Sequence, residues 1–242
     1  MGNGNSSVIS LQSVEKIYKT NAGPLHVLKG INLEIKEGEF VAIVGPSGSG
    51  KSTLINMITG IDRPTKGEVH VAGQRLTHLS ENQVAKWRGR NVGVVFQFFQ
   101  LLPTLTVLEN VMMPMHYTGT YKGKRRERAM ELLDMVDLPD VANKYPSQIS
   151  GGQQQRAAIA RALANNPKVL VGDEPTGNLD LISAGLVFAM FEDLVAKGTT
   201  IVMVTHDRDL AGQIPRVEEV RDGQLVAPEE IDERLVARAA KS

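Results

Sequence analysis

The chain has 242 residues, 42% of them hydrophobic, and its 27 basic and 27 acidic side chains give a formal net charge of zero. This length suits one large α/β domain, or one domain with an insertion, around a buried core. The charge balance argues against a broadly basic nucleic-acid surface. The chain contains no cysteine, which excludes disulfides, thiolate metal sites and a cysteine nucleophile. No apolar run approaches the ~20 residues that span a bilayer, and no secretory signal is visible near the start.

The first third of the chain predicts mostly strands. Apolar and polar residues alternate over 8–16 and 31–36, as in half-buried strands, whereas 38–45 is continuously apolar, as in a buried parallel strand. A helix at 52–60, closed by Gly60, follows the Gly-rich loop. The next predicted elements are a strand pair at 67–76, a short helix at 80–90 and a strand at 92–97.

The pattern changes at residue 98. Helical spacing without strand alternation over 98–117 and 124–139 predicts a mostly helical insertion at 98–163. Strand patterns then return. The remaining predicted elements are strands at 168–174 and 199–206, a helix at 181–197, and a closing hairpin at 217–226 with Asp222 and Gly223 at its turn.

These boundaries predict one domain at 8–228 between two tails. Residues 1–7 are expected to form a flexible tail and 229–242 a charged one. Gly2 and Ser6 also match a short myristoylation pattern, for which a flexible Gly/Asn/Ser tail is the alternative.

The Gly-rich loop at 45–53, GPSGSGKST, matches the phosphate-binding P-loop pattern, with a buried strand before it and a helix after it. Glycines let backbone N–H groups wrap a phosphate, and the start of the helix adds partial positive charge. We expect Lys51 to reach the β- and γ-phosphate oxygens of ATP, and the Ser52 hydroxyl to ligand Mg²⁺. The whole loop is a predicted nucleotide site: Gly45, Pro46, Ser47, Gly48, Ser49, Gly50, Lys51, Ser52 and Thr53.

Further predicted strands end in polar side chains. Asp173 and Glu174 follow the apolar strand residues 169–171, and α/β sheets bind ligands at the carboxyl ends of their strands. We expect Asp173 to hold Mg²⁺ through water, and Glu174 to polarise the attacking water. His206 is expected to contact the γ-phosphate through its ring N–H. Gln97 is expected to sense Mg²⁺ or the attacking water, because it also ends a strand.

Together these motifs resemble the ATP-binding-cassette (ABC) transporter ATPases over nearly the whole chain. Six motifs stand in that family's order: the P-loop at 45–53, Gln97, the signature SGGQ at 150–153, the strand at 169–174, GNLD ending at Asp180, and His206. The resemblance implies an α/β fold in which a P-loop NTPase (RecA-like) core carries an N-terminal antiparallel β-subdomain and the helical insertion. It also implies ATP hydrolysis with Mg²⁺, since Lys51, Glu174 and His206 are all present.

In this family two ATPase domains pack head to tail, and the signature helix of each caps the γ-phosphate held by the other's P-loop. A second ATPase subunit, most simply another copy, is therefore the implied partner. The resemblance places Tyr18 under the adenine, for which an edge-strand aromatic is the alternative. From the residues alone, SGGQ is also an ordinary helix start with Ser150 as its N-cap. The nucleotide contacts implied in this way are Ser150, Gly151, Gly152, Gln153 and Asp180.

The stretch FQFFQLLPTLTVLENVMMP at 96–114 and DEPTGNLD at 173–180 are similar to the LolD/MacB-like group, which serves lipoprotein release and macrolide export. That resemblance implies membrane subunits whose cytoplasmic coupling helices dock near 97–117, and no nucleic-acid partner. It implies a peripheral location on the cytoplasmic face of the inner or plasma membrane. The three Met residues in 98–117 suit a docking surface or the core of the insertion itself.

Two other roles remain open at this point. One is a cell-division-type ATPase that regulates a periplasmic partner without transport. The other is a soluble ABC ATPase acting on ribosomes or DNA. Ribosome-type members usually fuse two cassettes and DNA-repair members carry long coiled-coil inserts, whereas this sequence has one cassette and no such insert.

Overall fold

The computed structural model describes residues 7–227, so the predictions for residues 1–6, including the pattern at Gly2, and for 229–242 lie outside the described residues, whereas Ser7, predicted in the flexible tail, begins the first strand. The strands are, in chain order, β1 (Ser7–Thr20), β2 (Gly23–Lys36), β3 (Phe40–Val44), β4 (Lys66–Val71), β5 (Gln74–Arg75), β6 (Val92–Phe96), β7 (Val169–Asp173), β8 (Thr200–Val204), β9 (Arg216–Arg221) and β10 (Gln224–Leu225). The helices are α1 (Lys51–Thr59), α2 (Glu81–Asn91), α3 (Val107–Thr118), α4 (Arg125–Met135), α5 (Gly151–Ala162), α6 (Leu181–Ala196) and α7 (Arg208–Ala211), with 3₁₀ turns at Pro139–Val141 and Pro146–Gln148.

The strands of residues 7–227 form two sheets. The first is antiparallel, in the order β2-β1-β4-β5, and the second has the order β10-β9-β3-β8-β7-β6. Within the second sheet every neighbouring pair is parallel except β10 with β9. The loop after β3 therefore leaves the middle of a parallel sheet, at the edge where ligands bind in α/β folds. The predicted α/β class with an N-terminal antiparallel sheet is confirmed.

The parallel sheet is covered on both faces. Successive residues of a strand point to opposite faces, and in β3 Val41 and Ile43 join a core shared with α1 and the antiparallel sheet. Phe40, Ala42 and Val44 join a second core built with α3 to α6. Because both faces are buried, the strand shows a continuous apolar run instead of alternation.

The first two strands are longer than predicted. In place of separate strands at 8–16 and 31–36, β1 and β2 form one long hairpin. Register shifts interrupt the pairing at several points, including between Leu11 and Val14. Such bulges break the two-residue alternation, which explains why the pattern showed only parts of each strand.

The helix predicted at 98–117 is also partly wrong, because α3 begins only at Val107. Thr106 and Glu109 form a capping box there: the Thr106 side chain accepts from the Glu109 N–H at 3.2 Å, and the Glu109 carboxylate accepts from the Thr106 N–H at 2.8 Å. Residues 98–106 are irregular.

A buried amide side chain holds this irregular stretch. Oδ1 of Asn110 accepts from the Leu102 N–H at 2.7 Å, and its Nδ2 donates to the carbonyls of Leu102 and Leu105 at 3.1 and 3.2 Å. These backbone groups are satisfied by a side chain, so they need no helical partner.

The closing hairpin ties the P-loop to the first sheet. Asp222 and Gly223 lie at its turn with φ values of 48° and 79°, which suits a type I′ turn and confirms the predicted hairpin. The Gly223 N–H donates to the Ser49 carbonyl at 3.0 Å, and the Gly223 carbonyl accepts from the Lys29 N–H at 2.8 Å. One turn therefore connects β2 and the P-loop.

Candidate nucleotide site

The P-loop runs from the end of β3 to the start of α1. Gly45 has φ 148°, and a Cβ placed there would lie 2.1 Å from the carbonyl oxygen of Val220, so this position requires glycine. Lys51, the first residue of α1, folds back over the loop. Its Nζ donates to the carbonyls of Gly45 and Pro46 at 2.8 and 2.9 Å. The ammonium group thus lies inside the loop, where a phosphate would be held.

A cavity of about 450 Å³ opens above this loop. It brings together the P-loop, the end of β7 and His206, which lies two residues after β8, as expected where parallel strands end at one edge of a sheet. Most residues predicted for the reacting phosphate therefore line one space: Gly45, Ser47, Gly48, Gly50, Lys51, Ser52, Thr53, Asp173, Glu174 and His206.

Asp173 and Glu174 lie at the end of β7 in different environments. Burial raises the pKa of Asp173, the neighbouring Glu174 carboxylate raises it further, and the Lys51 ammonium lowers it. Glu174 adopts φ 51°, an unfavourable left-handed conformation that is fixed by its N–H donating to the Val204 carbonyl at 2.9 Å. Its Oε1 lies 2.8 Å from Nδ1 of His206.

The donor set of this cavity fits a magnesium ion that arrives with a nucleotide. Among residues 7–227 no group of three or more His, Cys, Asp or Glu side chains could hold a metal alone. Mg²⁺ commonly binds through one or two carboxylates and takes its other ligands from phosphates and water. The Ser52 hydroxyl and the Asp173 carboxylate supply such oxygens, and a nearby cation would favour ionised Asp173 despite its raised pKa.

Tyr18 lies beside the P-loop and is held from two sides. Its hydroxyl donates to Oδ2 of Asp62 at 2.8 Å. Nζ of Lys16 lies 4.8 Å from the ring centroid and donates to Oδ1 of Asp62 at 2.6 Å. Burial and the hydrogen bond to Asp62 raise the pKa of Tyr18, whereas the nearby Thr53 side chain lowers it. Tyr18 of β1 pairs with Leu25 of β2, but β4 does not pair with β1 at this residue. The ring therefore lies on a part of β1 that has a neighbouring strand on one side only.

The remaining predicted residues lie outside this cavity. Nε2 of Gln97 donates to Oδ1 of Asn178 at 3.3 Å, and Nδ2 of Asn178 donates to the Gln97 carbonyl at 3.1 Å. Asp180 caps α6, accepting from the Ser183 N–H at 3.0 Å and from its hydroxyl at 2.7 Å. The structure does not bring these side chains to the P-loop of their own chain.

Ser150 and the glycines after it start α5. The Ser150 side chain accepts from the Gln153 N–H at 3.3 Å, and Gln153 Oε1 accepts from the Ser150 N–H at 2.9 Å. This capping box leaves Ser150 and Gly151 exposed. The turn packs beside α6 and does not line the cavity above the P-loop. One chain therefore presents two separate helix starts suited to anions.

Sequence patterns did not identify two side chains of α5 that hold this helix against the segments following β6 and β7. Gln155 of α5 is fully buried and donates to the carbonyls of Pro175 and Phe96, which ties the signature helix to the ends of β6 and β7. Arg161, two turns on, donates to the carbonyls of Phe99 and Gln100. The detectable signal was a polar residue at 155, four positions before the apolar core residue Ile159.

Comparisons with known proteins decide the family. A family model described as ABC transporter matches residues 28–177. The chain belongs to the ABC transporter family. An uncharacterized ABC transporter ATP-binding protein of Methanocaldococcus jannaschii is 51% identical, over 90% of this chain and 98% of that protein. The lipoprotein-releasing system ATP-binding protein LolD of Xanthomonas campestris is 46% identical, over 91% of this chain and 92% of that protein.

A solved structure agrees with these relatives. The cassette MJ0796 of M. jannaschii, in a dimeric post-hydrolysis state bound to ADP and Pi, has a TM-score of 0.83 and 43% identity, and the match covers 90% of this chain and 97% of that one. These findings confirm the P-loop ATPase fold and enzyme class expected from the motifs. They also support the LolD-like group within the ABC family.

Proposed function

We propose that two copies of this chain hydrolyse ATP as a head-to-tail dimer, with the P-loop of one copy facing the Ser150 turn of the other. The observation that carries this proposal is the separation of the two helix starts in one chain: the cavity above the P-loop contains Lys51 and Glu174 but no residue of the turn. A second copy supplies the missing turn. The dimeric state of the related MJ0796 cassette supports the same assembly.

Within each site, the P-loop binds the substrate. Lys51 moves its ammonium group from the loop carbonyls to the β- and γ-phosphate oxygens, and the backbone N–H groups of the loop wrap the phosphates. The Ser52 hydroxyl and the Asp173 carboxylate would hold Mg²⁺, which neutralises charge on the phosphates when bound. Tyr18 would stack on the adenine.

Glu174 is the proposed general base for the attacking water. It is a carboxylate at the mouth of the phosphate cavity, and its strained backbone and its contact with His206 fix its direction. His206 contacts Glu174 and lines the same cavity, and we propose that its ring N–H contacts the γ-phosphate. Gln97 is proposed to approach the site from β6 after release of its hydrogen bond to Asn178.

The partner copy completes the site. Ser150 and Gly151 are exposed and Gly152 is half-buried at a helix start, where the Ser150 hydroxyl and the backbone N–H groups of the two glycines would face the γ-phosphate of the other copy. Gln153 holds this turn through the capping box. Asp180 is proposed to contact the same composite site from the start of α6.

A disulfide test of this arrangement uses the absence of cysteine from the chain. Ser150→Cys and Ser47→Cys are introduced into separate copies, each in a Glu174→Gln background that retains ATP, and the two are mixed and oxidised. We expect a cross-link between unlike copies only with ATP, because a disulfide needs Cα atoms within about 7 Å. Tyr117→Cys replaces Ser47→Cys as the control. Equal cross-linking in the control, or none with ATP, would refute the head-to-tail dimer.

We further propose that the dimer drives membrane subunits that dock on the helical insertion. Among residues 7–227 no helix is long and apolar enough to cross a bilayer. We therefore look for the membrane-spanning segments in other chains or in residues outside this range. A groove of about 390 Å³ runs between β6, α3 and α5, lined in part by Phe96, Met113 and Pro114. Phe98 and Tyr117 are exposed nearby along the chain. These features suit an apolar coupling helix.

We propose that the stretch at 98–117 serves both roles that the sequence left open, as a docking surface and as part of the core of the insertion. Met115 is fully buried in the core, whereas Met113 lines the groove. The similarity to LolD supports a membrane partner and a peripheral position on the cytoplasmic face of the membrane. Co-purification with the membrane subunit in detergent tests the docking. Phe98→Asp should reduce it strongly and Met135→Asp, an exposed residue on α4, should not; equal retention of both variants would exclude this surface.

A further inference from the structure

Helix α6 carries an apolar strip on its outer side. Leu181, Ile182 and Leu186 are 92%, 79% and 54% exposed. Gly185 and Ala189 are exposed between and after them, so no polar side chain interrupts the strip over the first nine residues. We call these five residues the α6 patch.

The inner side of the same helix is apolar as well. Val187, Phe188, Phe191 and Leu194 are buried in the core. A helix that is apolar all round is usually buried on all sides. The strip ends where the exposed Glu192 begins the next turn, so the first half of α6 has no polar face, and its one polar side chain, Ser183, is half-buried and bonded to Asp180.

The position of the α6 patch indicates what covers it. On one side, α6 touches the signature turn: a Cβ at Gly152 would lie 2.6 Å from Oγ of Ser183. On the other side, a cavity of about 630 Å³ extends from Leu181 to Glu174 and His206. The patch therefore lies between the two surfaces that the proposed dimer must bring against a second copy.

Two-fold symmetry then restricts its partner. In an isologous dimer each copy uses the same surface, and a region between two reciprocal contacts lies near the symmetry axis and faces its own counterpart. Each patch would thus meet the patch of the other copy. Removal of this apolar surface from water favours association whether or not nucleotide is bound.

We propose that the α6 patch forms the apolar centre of the interface between two copies of this chain and gives the dimer an affinity that does not depend on ATP. This inference rests on the head-to-tail dimer proposed above. It adds a contact that needs no ligand, in contrast to the phosphate-bridged contacts at Lys51 and Ser150.

Cysteine substitutions test the geometry. Leu181→Cys, Ile182→Cys and Leu186→Cys are made singly in the Glu174→Gln protein, with Tyr117→Cys, a residue 85% exposed on α3, as the control. We expect at least one patch variant to cross-link to itself faster than the control, since symmetry brings identical positions together. No patch variant exceeding the control would overturn the inference.

A double variant tests the energetics. Leu181→Ser with Ile182→Ser should weaken dimerisation about 10- to 100-fold, both with ATP and without nucleotide, when measured by analytical ultracentrifugation. Tyr117→Ser should leave it within about twofold. ATP binding by the monomer should be unchanged, which shows that the variant is folded.

The outcomes separate this inference from the proposal beneath it. If Ser150→Cys still cross-links to Ser47→Cys but the double variant dimerises normally, the head-to-tail dimer stands and the role of the patch is refuted. If the cross-link between Ser150→Cys and Ser47→Cys is also absent, the head-to-tail dimer is refuted, and the role of the α6 patch is refuted with it. A normal dimer combined with lost binding to the membrane subunit would assign the patch to that subunit instead and overturn the inference.

Discussion

Nδ1 of His206 lies 2.8 Å from Oε1 of Glu174, although the two residues follow different strands and are 32 positions apart in the sequence. The contact exists because β7 and β8 are parallel neighbours whose carboxyl ends coincide. The left-handed backbone of Glu174 turns its side chain toward that neighbour. The pairing of the two strands therefore places His206 against Glu174, and this contact would orient Glu174 for its proposed role as base.

Glu174→Gln should reduce ATP turnover about 10²- to 10³-fold while ATP binding persists, because the amide keeps the shape of the side chain and cannot accept the proton. The measurement is steady-state phosphate release beside equilibrium nucleotide binding. Glu34→Gln, an exposed change on β2, serves as the matched control. A turnover number near that of the unmodified protein would remove Glu174 from the role of base.

Asp173→Asn should raise the melting temperature of the nucleotide-free protein by an amount that grows with pH. Burial and the Glu174 charge raise the pKa of Asp173 above its ordinary value of 3.8, so its ionisation costs folding stability. That cost is absent below the ordinary pKa and accumulates as pH rises through the folded pKa. We expect roughly 2–4 °C at pH 8 and a smaller difference at pH 4.

The control for this prediction is Asp134→Asn, an exposed residue on α4 that should give the same small difference at each pH. With saturating Mg²⁺ and ATP the order should reverse, since the cation requires the ionised carboxylate. A stabilisation by Asp173→Asn that shrinks as pH rises would contradict the assignment.

Asp62→Asn should raise KM for ATP about 3- to 10-fold and change kcat by less than twofold, because Asp62 holds the Tyr18 hydroxyl and Lys16 and has no contact with the phosphate cavity. Tyr18→Phe removes the same hydrogen bond and keeps the ring, so its effect should resemble that of Asp62→Asn. Tyr18→Ala should be worse than either. Equal KM values for all three and the unmodified protein would show that Tyr18 does not contact the nucleotide.

Arg161→Met should lower the melting temperature by roughly 5–10 °C, since it leaves the carbonyls of Phe99 and Gln100 without their charged donor. Arg161 is half-buried, and this burial lowers the pKa of its guanidinium. Arg126→Met, at an exposed position on α4, is the control. We expect faster amide hydrogen exchange at 97–101 in the Arg161 variant, because the donor to these carbonyls is lost. Identical melting temperatures of the two variants would disprove the stabilising role of Arg161.

The sequence predicted the phosphate cavity well because its parts are local or lie at strand ends. The P-loop is one continuous segment, and Asp173, Glu174 and His206 each end an apolar run that is easily recognised. Parallel pairing then brings these ends together. The roles given to these residues remain predictions that the variants above test.

The parts that sequence patterns missed depend on contacts between distant segments. The irregular backbone at 98–106 looked helical because its apolar residues pack against a core, and the buried Asn110 that replaces helical hydrogen bonds leaves no periodic signal. In the same way, no sequence pattern indicates the hydrogen bond that Nε2 of Gln97 donates to Oδ1 of Asn178, 81 positions away, while the role of Gln97 at the nucleotide stays a prediction. Pattern reasoning has no access to such side-chain partners.

The turn at Asp222 and Gly223 has a consequence for how the protein is made. Its backbone hydrogen-bonds both Ser49 of the P-loop and Lys29 of β2. These two segments come from the first quarter of the chain, whereas the turn that connects them lies near the last described residues. On a ribosome, which delivers the chain from its N-terminus, the P-loop emerges early yet gains this support only after residue 223 has cleared the exit tunnel. A nascent chain stopped before that point should bind ATP weakly, and nucleotide capture would then report that the hairpin has formed.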